Sequence, residues 1–392
     1  MREVVIVSGK RTPIGAFSGS LSSLTAPQLG SIAIKAALQE AGITGEQVDE
    51  VLMGCVLTGG MGQAPARQAS KGAAIPDSVP CTTVNKVCGS GMKTIMMAAQ
   101  AIKCGDAEVI VAGGMESMSN APYALPKART GYRMGNGELI DLMIHDGLWD
   151  PYDNIHMGNA GELCSRECGI SRDAQDTFAA ASYNRALAAQ AAGKFADEIT
   201  PVSVPQRKGD PVVVDTDEEP GKGNPAKLPD LRPAFEKEGT VTAGNASSIN
   251  DGGAAVVVMS AERASSLGLT PLARIVDYAQ HAQEPKWFTT APAGAISRLL
   301  EKTGKTVADI DLFEVNEAFS VVALAVSEKV GIPHEKLNVN GGAVALGHPI
   351  GMSGTRLVLT LIHELRRQGK KTGIATPCIG GGEATAVMVE IP

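Results

Sequence analysis

The chain repeats its own pattern, and that doubling limits the folds open to it. Residues 36–54 read as a helix ending at Ala41-Gly42, a short turn and a strand, Val48-Asp49-Glu50-Val51-Leu52-Met53-Gly54. Residues 298–316 read as a helix ending at Thr303-Gly304, a turn and Ile310-Asp311-Leu312-Phe313-Glu314-Val315-Asn316, and the two segments align without a gap. A second pair follows. Gly89 to Gly114 gives a glycine turn, a helix, Gly105-Asp106, the strand Val109-Ile110-Val111-Ala112 and Gly113-Gly114. Gly351 to Gly382 gives a glycine turn, a helix, Gly369, the strand Gly373-Ile374-Ala375-Thr376 and a run of three glycines. Strands alternating with helices in each half predict an α/β protein made of two mostly parallel, helix-covered sheets. A chain of 392 residues exceeds one ordinary core, which accommodates two such halves.

Period carries the helix assignments. After Cys88, the apolar Met92, Ile95, Met96, Ala99 and Ile102 recur at three and four, and Gly105 ends the run. After Ser353, Val358, Leu361, Ile362 and Leu365 do the same, with Lys370 and Lys371 just past the last turn. Between about 119 and 249 the alternation weakens to one good helix, Asp173 to Ala192, and two long loops, 129–151 and 208–237. Loops of that length inside a compact protein are usually functional. Ala254 to Met259 then reads as a fully buried strand returning to the first half. The expected domains are 1–118 with 250–270, an inserted segment 119–249, and 271–392.

Several function classes drop out. The chain has 35 basic and 42 acidic residues, a net charge of −7, so a nucleic-acid partner is not expected. No apolar run approaches the ~18 residues of a membrane span. The seven cysteines are an odd number, and the chain opens on Glu3-Val4-Val5-Ile6-Val7, a strand rather than a leader. A reduced, cytoplasmic protein is therefore expected. Cys164 and Cys168 share a helical face, but no second Cys/His pair at ligand spacing accompanies them, and no metal is expected.

Three glycine-rich turns hold the residues that can do chemistry. Cys88 lies in Asn85-Lys86-Val87-Cys88-Gly89-Ser90-Gly91 at a helix start, where free amides and the helix dipole favour a thiolate. The alternative is a buried structural cysteine. His348, in Gly347-His348-Pro349, is a candidate base for a thiol, or a hydrogen-bonded structural histidine. Cys378 precedes Ile379 and three glycines, a turn able to supply oxyanion amides or, less fittingly, to cradle a phosphate. A second thiol suits proton transfer if its pKa lies near working pH. Asn316 ends a strand equivalent to the one ending at Gly54. With Cys378 and Asn316 at strand ends, and Cys88 and His348 at helix starts that follow strands, all four are expected on one rim of the sheet, where ligands gather. If the Cα atoms of Cys88 and Cys378 lie within ~7 Å, the pair can also form a disulfide.

Taken together these blocks resemble the thiolase family over the whole chain. They are Asn-x-x-Cys-x-Ser-Gly at Cys88, Asn-Glu-Ala-Phe at 316–319, Gly-His-Pro-x-Gly-x-Ser-Gly at 347–354, Cys-x-Gly-Gly-Gly at 378–382, and Asn245-Ala246-Ser247 with Asn250-Asp251-Gly252. The resemblance implies duplicated βαβαβαββ halves in a five-layer α-β-α-β-α core, with the insert 119–249 as a loop domain that holds coenzyme A. It implies a ping-pong, reversible Claisen condensation of two acetyl-CoA to acetoacetyl-CoA and CoA. In that scheme Cys88 is acylated, His348 takes its proton, and Cys378 removes the α-proton of the second acyl-CoA. His348 with a water on Asn316 forms one oxyanion site; the amides of Cys88 and Gly380 form the other. The branch it is most similar to is the biosynthetic, short-chain one: His156 and Met157 belong to the segment that narrows the acyl pocket, with Phe288 as a second bulky wall. Ser247 is implied as the pantetheine partner, with Leu231, Ala234, Phe235, Ala243, Ala318 and Phe319 lining the arm. Coenzyme A enters only as a substrate, no cofactor is implied, and the family pattern implies a homotetramer, a dimer of dimers. One departure stands out. Where many relatives carry an Arg near the nucleotide, Glu219-Pro220-Gly221 is followed by Lys222, a point charge rather than a planar fork, so looser nucleotide contacts are expected.

The rival readings are a longer-chain 3-ketoacyl-CoA thiolase, a ketoacyl synthase and a catalytically silent acyl-CoA binder. A ketoacyl synthase would carry a His where this chain has Asn316, and a silent binder would have lost a catalytic residue, whereas all four are present.

Overall fold

The structure, a computed structural model, describes residues 2–392. The N-terminal half contributes β1 (Val4–Arg11), α1 (Ala26–Ala41), β2 (Glu50–Gly54), α2 (Pro65–Gly72), β3 (Cys81–Val84), α3 (Ser90–Cys104), β4 (Val109–Ser117) and β5 (Asn250–Ser260). Between β4 and β5 lie α4 (Met157–Cys168) and α5 (Arg172–Ala191). The C-terminal half contributes β6 (Ala273–Ala282), α6 (Ala291–Thr303), β7 (Leu312–Val315), α7 (Ser320–Val330), the one-turn α8 (Ala343–Leu346), α9 (Ile350–Gln368), β8 (Thr372–Thr376) and β9 (Glu383–Glu390).

The strands run β7-β8-β9-β6-β1-β5-β4-β2-β3 through one sheet, with the halves joined only where Val5 meets Arg274 and Ile6 meets Ala273. The order on one side of that joint repeats on the other. β1, β5, β4 and β2 have β6, β9, β8 and β7 as counterparts, and β3 is matched by a single bridge from Leu337 to Phe313. Each half is mixed rather than mostly parallel. Parallel pairing is confined to β4–β2–β3 and β8–β7, while β5 and β9 run antiparallel to both neighbours. The cause is connectivity. β5 returns from the insert without a crossover helix, and β9 follows β8 through a tight glycine turn that forces a hairpin.

Helices α1 and α2 cover the outer face of the N-terminal half-sheet and α6 that of the C-terminal one, with α7 packed on α6; α3 and α9 pack on each other between the two half-sheets. That gives the layered α-β-α-β-α core. The central helices are buried nearly all round. Every residue of α9 from Ile350 to Ile362 is buried, and its Arg356 donates to Glu314 of β7 at 3.0 Å. Each helix of the duplicated pairs stops where the sequence indicated. Gly42, Gly105, Gly304 and Gly369 cap α1, α3, α6 and α9 in the left-handed conformation.

The insert is less open than a pair of long loops. The 129–151 stretch holds a π-helical turn, Met143–Leu148, and two short strands; the 208–237 stretch holds Val212–Val214 and a 3₁₀ turn, Pro225–Asp230. A buried cluster ties it to the core. Arg11 of β1 meets Glu198 at 2.8 Å and Asp217 at 2.7 Å. No helix among the described residues is long and apolar enough to cross a membrane.

Candidate active site

Four chain segments converge at the joint between the halves. β7 ends at Val315, which places Asn316 on the rim; β8 ends at Thr376, which places Cys378 beside it. Cys88 sits two residues ahead of α3 and His348 two residues ahead of α9. His348 follows the one-turn α8 rather than a strand, and Gly347 makes the reversal at φ +97° with no room for a Cβ beside Asn250. A side chain at Gly347 would displace the Asn250 oxygen that accepts the His348 amide at 2.8 Å. Val87, immediately before the nucleophile candidate, is a β-branched residue at φ +45°. That is a strained conformation of the kind that clusters at functional sites.

Hydrogen bonds settle the protonation of the imidazole. The Ser353 hydroxyl has one proton and lies 2.8 Å from the Pro349 carbonyl, to which it donates. It therefore accepts from His348 Nδ1–H at 2.6 Å, which leaves Nε2 with a lone pair facing the site. Asn316 Nδ2 lies 3.3 Å from that nitrogen. The Asn316 Oδ1 is buried with no partner, an acceptor positioned for a water or a substrate donor.

Neither thiol is favoured as an anion in this state. Burial pushes Cys88 up to about 11, against the opposing pull of the Gly380 and Cys88 amides. Desolvation outweighs the helix start that favoured a thiolate from sequence. Burial and the neighbouring Cys88 push Cys378 well above the usual thiol range, with the Ala318 amide pulling the other way. Burial, then the charge of Arg356, lowers His348 to about 3. The site therefore holds two thiols and a neutral imidazole.

A cavity of about 520 Å³ opens onto Cys88, His348 and Gly380. Its wall includes His156, Met157, Lys222, Ala234, Phe235, Ala243, Ser247, Phe288, Ala318 and Phe319. Cys378 and Asn316 stand fully buried behind it, and Leu231 lies outside it, its carbonyl taken by Arg172. His156 caps α4, its Nδ1 accepting from the Gly158 amide at 3.1 Å, and stacks on Phe235 at 4.9 Å. Phe319 meets Phe235 and Phe288 edge to face. The Ser247 hydroxyl donates to the Ala318 carbonyl at 3.0 Å, so towards the cavity it can only accept. Lys222 reaches the cavity but is paired with Glu218 at 2.7 Å.

Sequence reading passed over several residues here. Phe17, Met118, Leu148, Glu219 and Ile350 also line the cavity, but their spacing carries no signal. Glu116 was missed too. It is a buried carboxylate that accepts from the amides of Val56 at 3.0 Å, Leu57 at 3.1 Å and Gly351 at 2.9 Å. It thereby ties the start of α9 to the turn after β2. Burial raises it to about 7. A lone Glu inside an apolar strand, Val109–Ser117, was the one available clue.

Known proteins match this arrangement along the full chain. The family model described as thiolase, N-terminal domain covers residues 4–262, and that described as thiolase, C-terminal domain covers 269–391. The acetyl-CoA acetyltransferase of Cupriavidus necator is 55% identical over 391 residues, 100% of each chain. That of Pseudomonas aeruginosa is 53% identical over 390 residues, 99% of each. Acetyl-CoA acetyltransferase 2 of Arabidopsis thaliana is 54% identical, covering 100% of this chain and 97% of its own.

Proposed function

Because this chain belongs to the thiolase family, and is an acyltransferase, we propose that it joins two acetyl-CoA into acetoacetyl-CoA and CoA, reversibly, through an acetyl group on Cys88. One observation carries the reading: a thiol and a neutral imidazole whose Nε2 is an acceptor stand at one apolar cavity, with a second thiol buried beside the first.

The resting protonation states set the order of events. With Cys88 near 11 and His348 near 3, a standing ion pair is unfavourable. The proton moves to Nε2 as the sulfur attacks the thioester carbon. The imidazolium Nε2–H and a water held by Asn316 then face one developing oxyanion, and the Gly380 amide the other. Cys378, a thiol at rest, protonates the departing CoA sulfur and is left as a desolvated thiolate. That strong base takes the α-proton of the second acetyl-CoA, the resulting carbanion attacks the acetyl carbonyl on Cys88, and the carbon–sulfur bond to Cys88 breaks as the imidazolium returns its proton to the leaving thiolate. Phe288, Met157 and the stacked His156–Phe235 pair close the acyl end and favour a two-carbon unit. Glu219 and Lys222 stand at the wall where a polar arm would pass.

We place the enzyme in the cytoplasm, a reading supported by seven free thiols. We read it as a dimer of dimers. Tyr123, Leu125, Met134 and Leu139 of the insert are exposed, large apolar side chains of the kind that self-association covers, and light scattering tests it.

The decisive assay is thiolysis of acetoacetyl-CoA by free CoA, with Cys88→Ala as control and longer 3-ketoacyl chains as comparison. The expected result is an acetylated Cys88 peptide by mass spectrometry and a preference for the four-carbon substrate. Retained turnover in Cys88→Ala, or faster cleavage of long chains, overturns it.

A further inference from the structure

The proposed reaction leaves the two cysteines of α4 without a task. Cys164 is fully buried and Cys168, one turn later, is half-buried; their sulfurs lie 3.9 Å apart. The pair backs onto the wall of the acyl cavity. Met157 begins the same helix, and Thr289, next to the cavity-lining Phe288, touches the Cys164 sulfur. Thr289 Oγ1 is buried and has no oxygen or nitrogen to bond. On the other side Cys168 opens onto a separate surface cavity of about 590 Å³, with Glu167, Trp287, Thr290 and Lys329 around it. Cys168 therefore has an entry path and a neighbouring cation in Lys329, and the inner sulfur of Cys164 has a buried hydroxyl against it.

We propose that Cys164 and Cys168 form a second reactive centre, a dithiol that captures one thiophilic atom, with the trivalent arsenic of a monoaryl arsenical as the fitting chemical class. The spacing decides against the alternatives. A disulfide spans Cβ atoms about 3.5–4.5 Å apart, whereas a helix holds the Cβ atoms of residues four apart at about 5–6 Å. Two bonds of about 2.3 Å to a shared atom bring the sulfurs to about 3.5 Å, within a small side-chain rotation of the 3.9 Å at which they stand. A four-coordinate cation needs more ligands, and no group of three or more His, Cys, Asp or Glu side chains able to hold a metal occurs among the described residues. The reaction involves no change of oxidation state. Cys168, on the rim, adds first and Cys164 closes the ring. Two arsenic–sulfur bonds replace the two bonds from arsenic to oxide, and both thiol protons leave with that oxygen as water.

This site and the acetyl-transfer reading fail separately, because the test dispenses with Cys88. Full-length Cys88→Ala protein is treated with phenylarsine oxide, washed with excess glutathione and weighed by intact mass spectrometry. Single-thiol adducts, at Cys104 for example, are exchanged away by glutathione; a chelate survives and is removed only by a dithiol such as 2,3-dimercaptopropanol. The expected result is one phenylarsenic per chain, mapped to the peptide carrying residues 164–168. It should be absent when Cys168→Ser is added, a change at the exposed end of α4 that leaves the core intact, and absent again with Cys164→Ala. No glutathione-resistant adduct, or one that persists in the Cys168→Ser protein, overturns the proposal.

Discussion

The two halves share a scaffold but not a job. Overlaid by their repeat, the end of β2 at Gly54 corresponds to Asn316 at the end of β7, and the glycines ending the apolar run of β4 fall where β8 gives way to Cys378. In the N-terminal half these rim positions are bare backbone, and the reason is steric. A side chain on Gly114 would stand 2.0 Å from the Gly351 carbonyl at the start of α9, and one on Gly54 would stand 2.7 Å from the Gly91 amide at the start of α3. In the C-terminal half the position equivalent to Gly54 carries the Asn316 amide, and Cys378 follows one residue past the position equivalent to Gly114. One half has given up side chains so that both central helices can bring their N-termini, and with them Cys88 and His348, against the other half's functional groups. Duplication supplied the frame, and chemistry followed from where close approach was not needed.

Exchanging the burdens of Gly54 and Asn316 breaks this comparison most directly. Asn316→Ala removes an amide beside His348 Nε2 without filling or opening a backbone contact. The expected loss is about 10²–10³-fold in kcat, the scale of deleting one oxyanion donor, with the unfolding midpoint nearly unchanged. Gly54→Ala should do the reverse. Its methyl meets Gly91 and Ser90 at 2.7 Å, and overpacking of this kind costs about 1–3 kcal/mol of stability. Kinetics and urea unfolding on both variants settle it; a stability loss in Asn316→Ala larger than in Gly54→Ala would show that the rim positions are not specialised as described.

A subtler contrast lies between the two central helix starts. His348 has its pKa lowered from an ordinary 6.5 to about 3. Between those values the unfolded chain binds the proton and the folded one does not, so this residue makes folding less favourable as pH falls below 6.5 and has no effect above it. At pH 5 the deficit amounts to about 2 kcal/mol. His348→Asn, inactive, should therefore gain on the parent protein by that amount between pH 7 and pH 5 in urea unfolding. Glu116 pulls the opposite way. Raised to about 7, it makes the fold less stable as pH climbs from its unfolded value towards 7, so the comparison with His348→Asn must be made as a difference between variants. An unchanged gap between pH 7 and 5 would mean that the imidazole is not desolvated.

Much of this was legible in the sequence because the signals were backbone signals. Glycine caps, a period of 3.6 and the repeated strand ends located α1, α3, α6, α9 and the rim positions of Asn316 and Cys378. What escaped was set by tertiary packing. The antiparallel course of β5 depends on how the insert returns, not on the residues of β5. The charge state of Cys88 depends on how deeply both halves bury it, which no local motif records. Glu116 reads as an oddity in an apolar strand until its three amide donors arrive from segments 60 and 235 positions away.

The smallest effect concerns the one position where the chain departs from its family pattern. Lys222 was expected to stand in for an arginine near the nucleotide. In the structure its ammonium is held by Glu218 at 2.7 Å, and Glu218, with the amides of Ala16 and Ser20 also donating to it, sits at about 2. The side chain is half exposed, so the pair itself contributes little, on the order of 1 kcal/mol or less. A cation already neutralised by a neighbour has little charge left for a phosphate. Lys222→Ala should therefore raise KM for CoA by less than about threefold and leave kcat alone, with the same ratio for CoA and for a truncated pantetheine thiol. A much larger rise for CoA than for the truncated thiol would mean that substrate draws Lys222 away from Glu218, and that the insert, not the duplicated core, supplies the missing nucleotide contact.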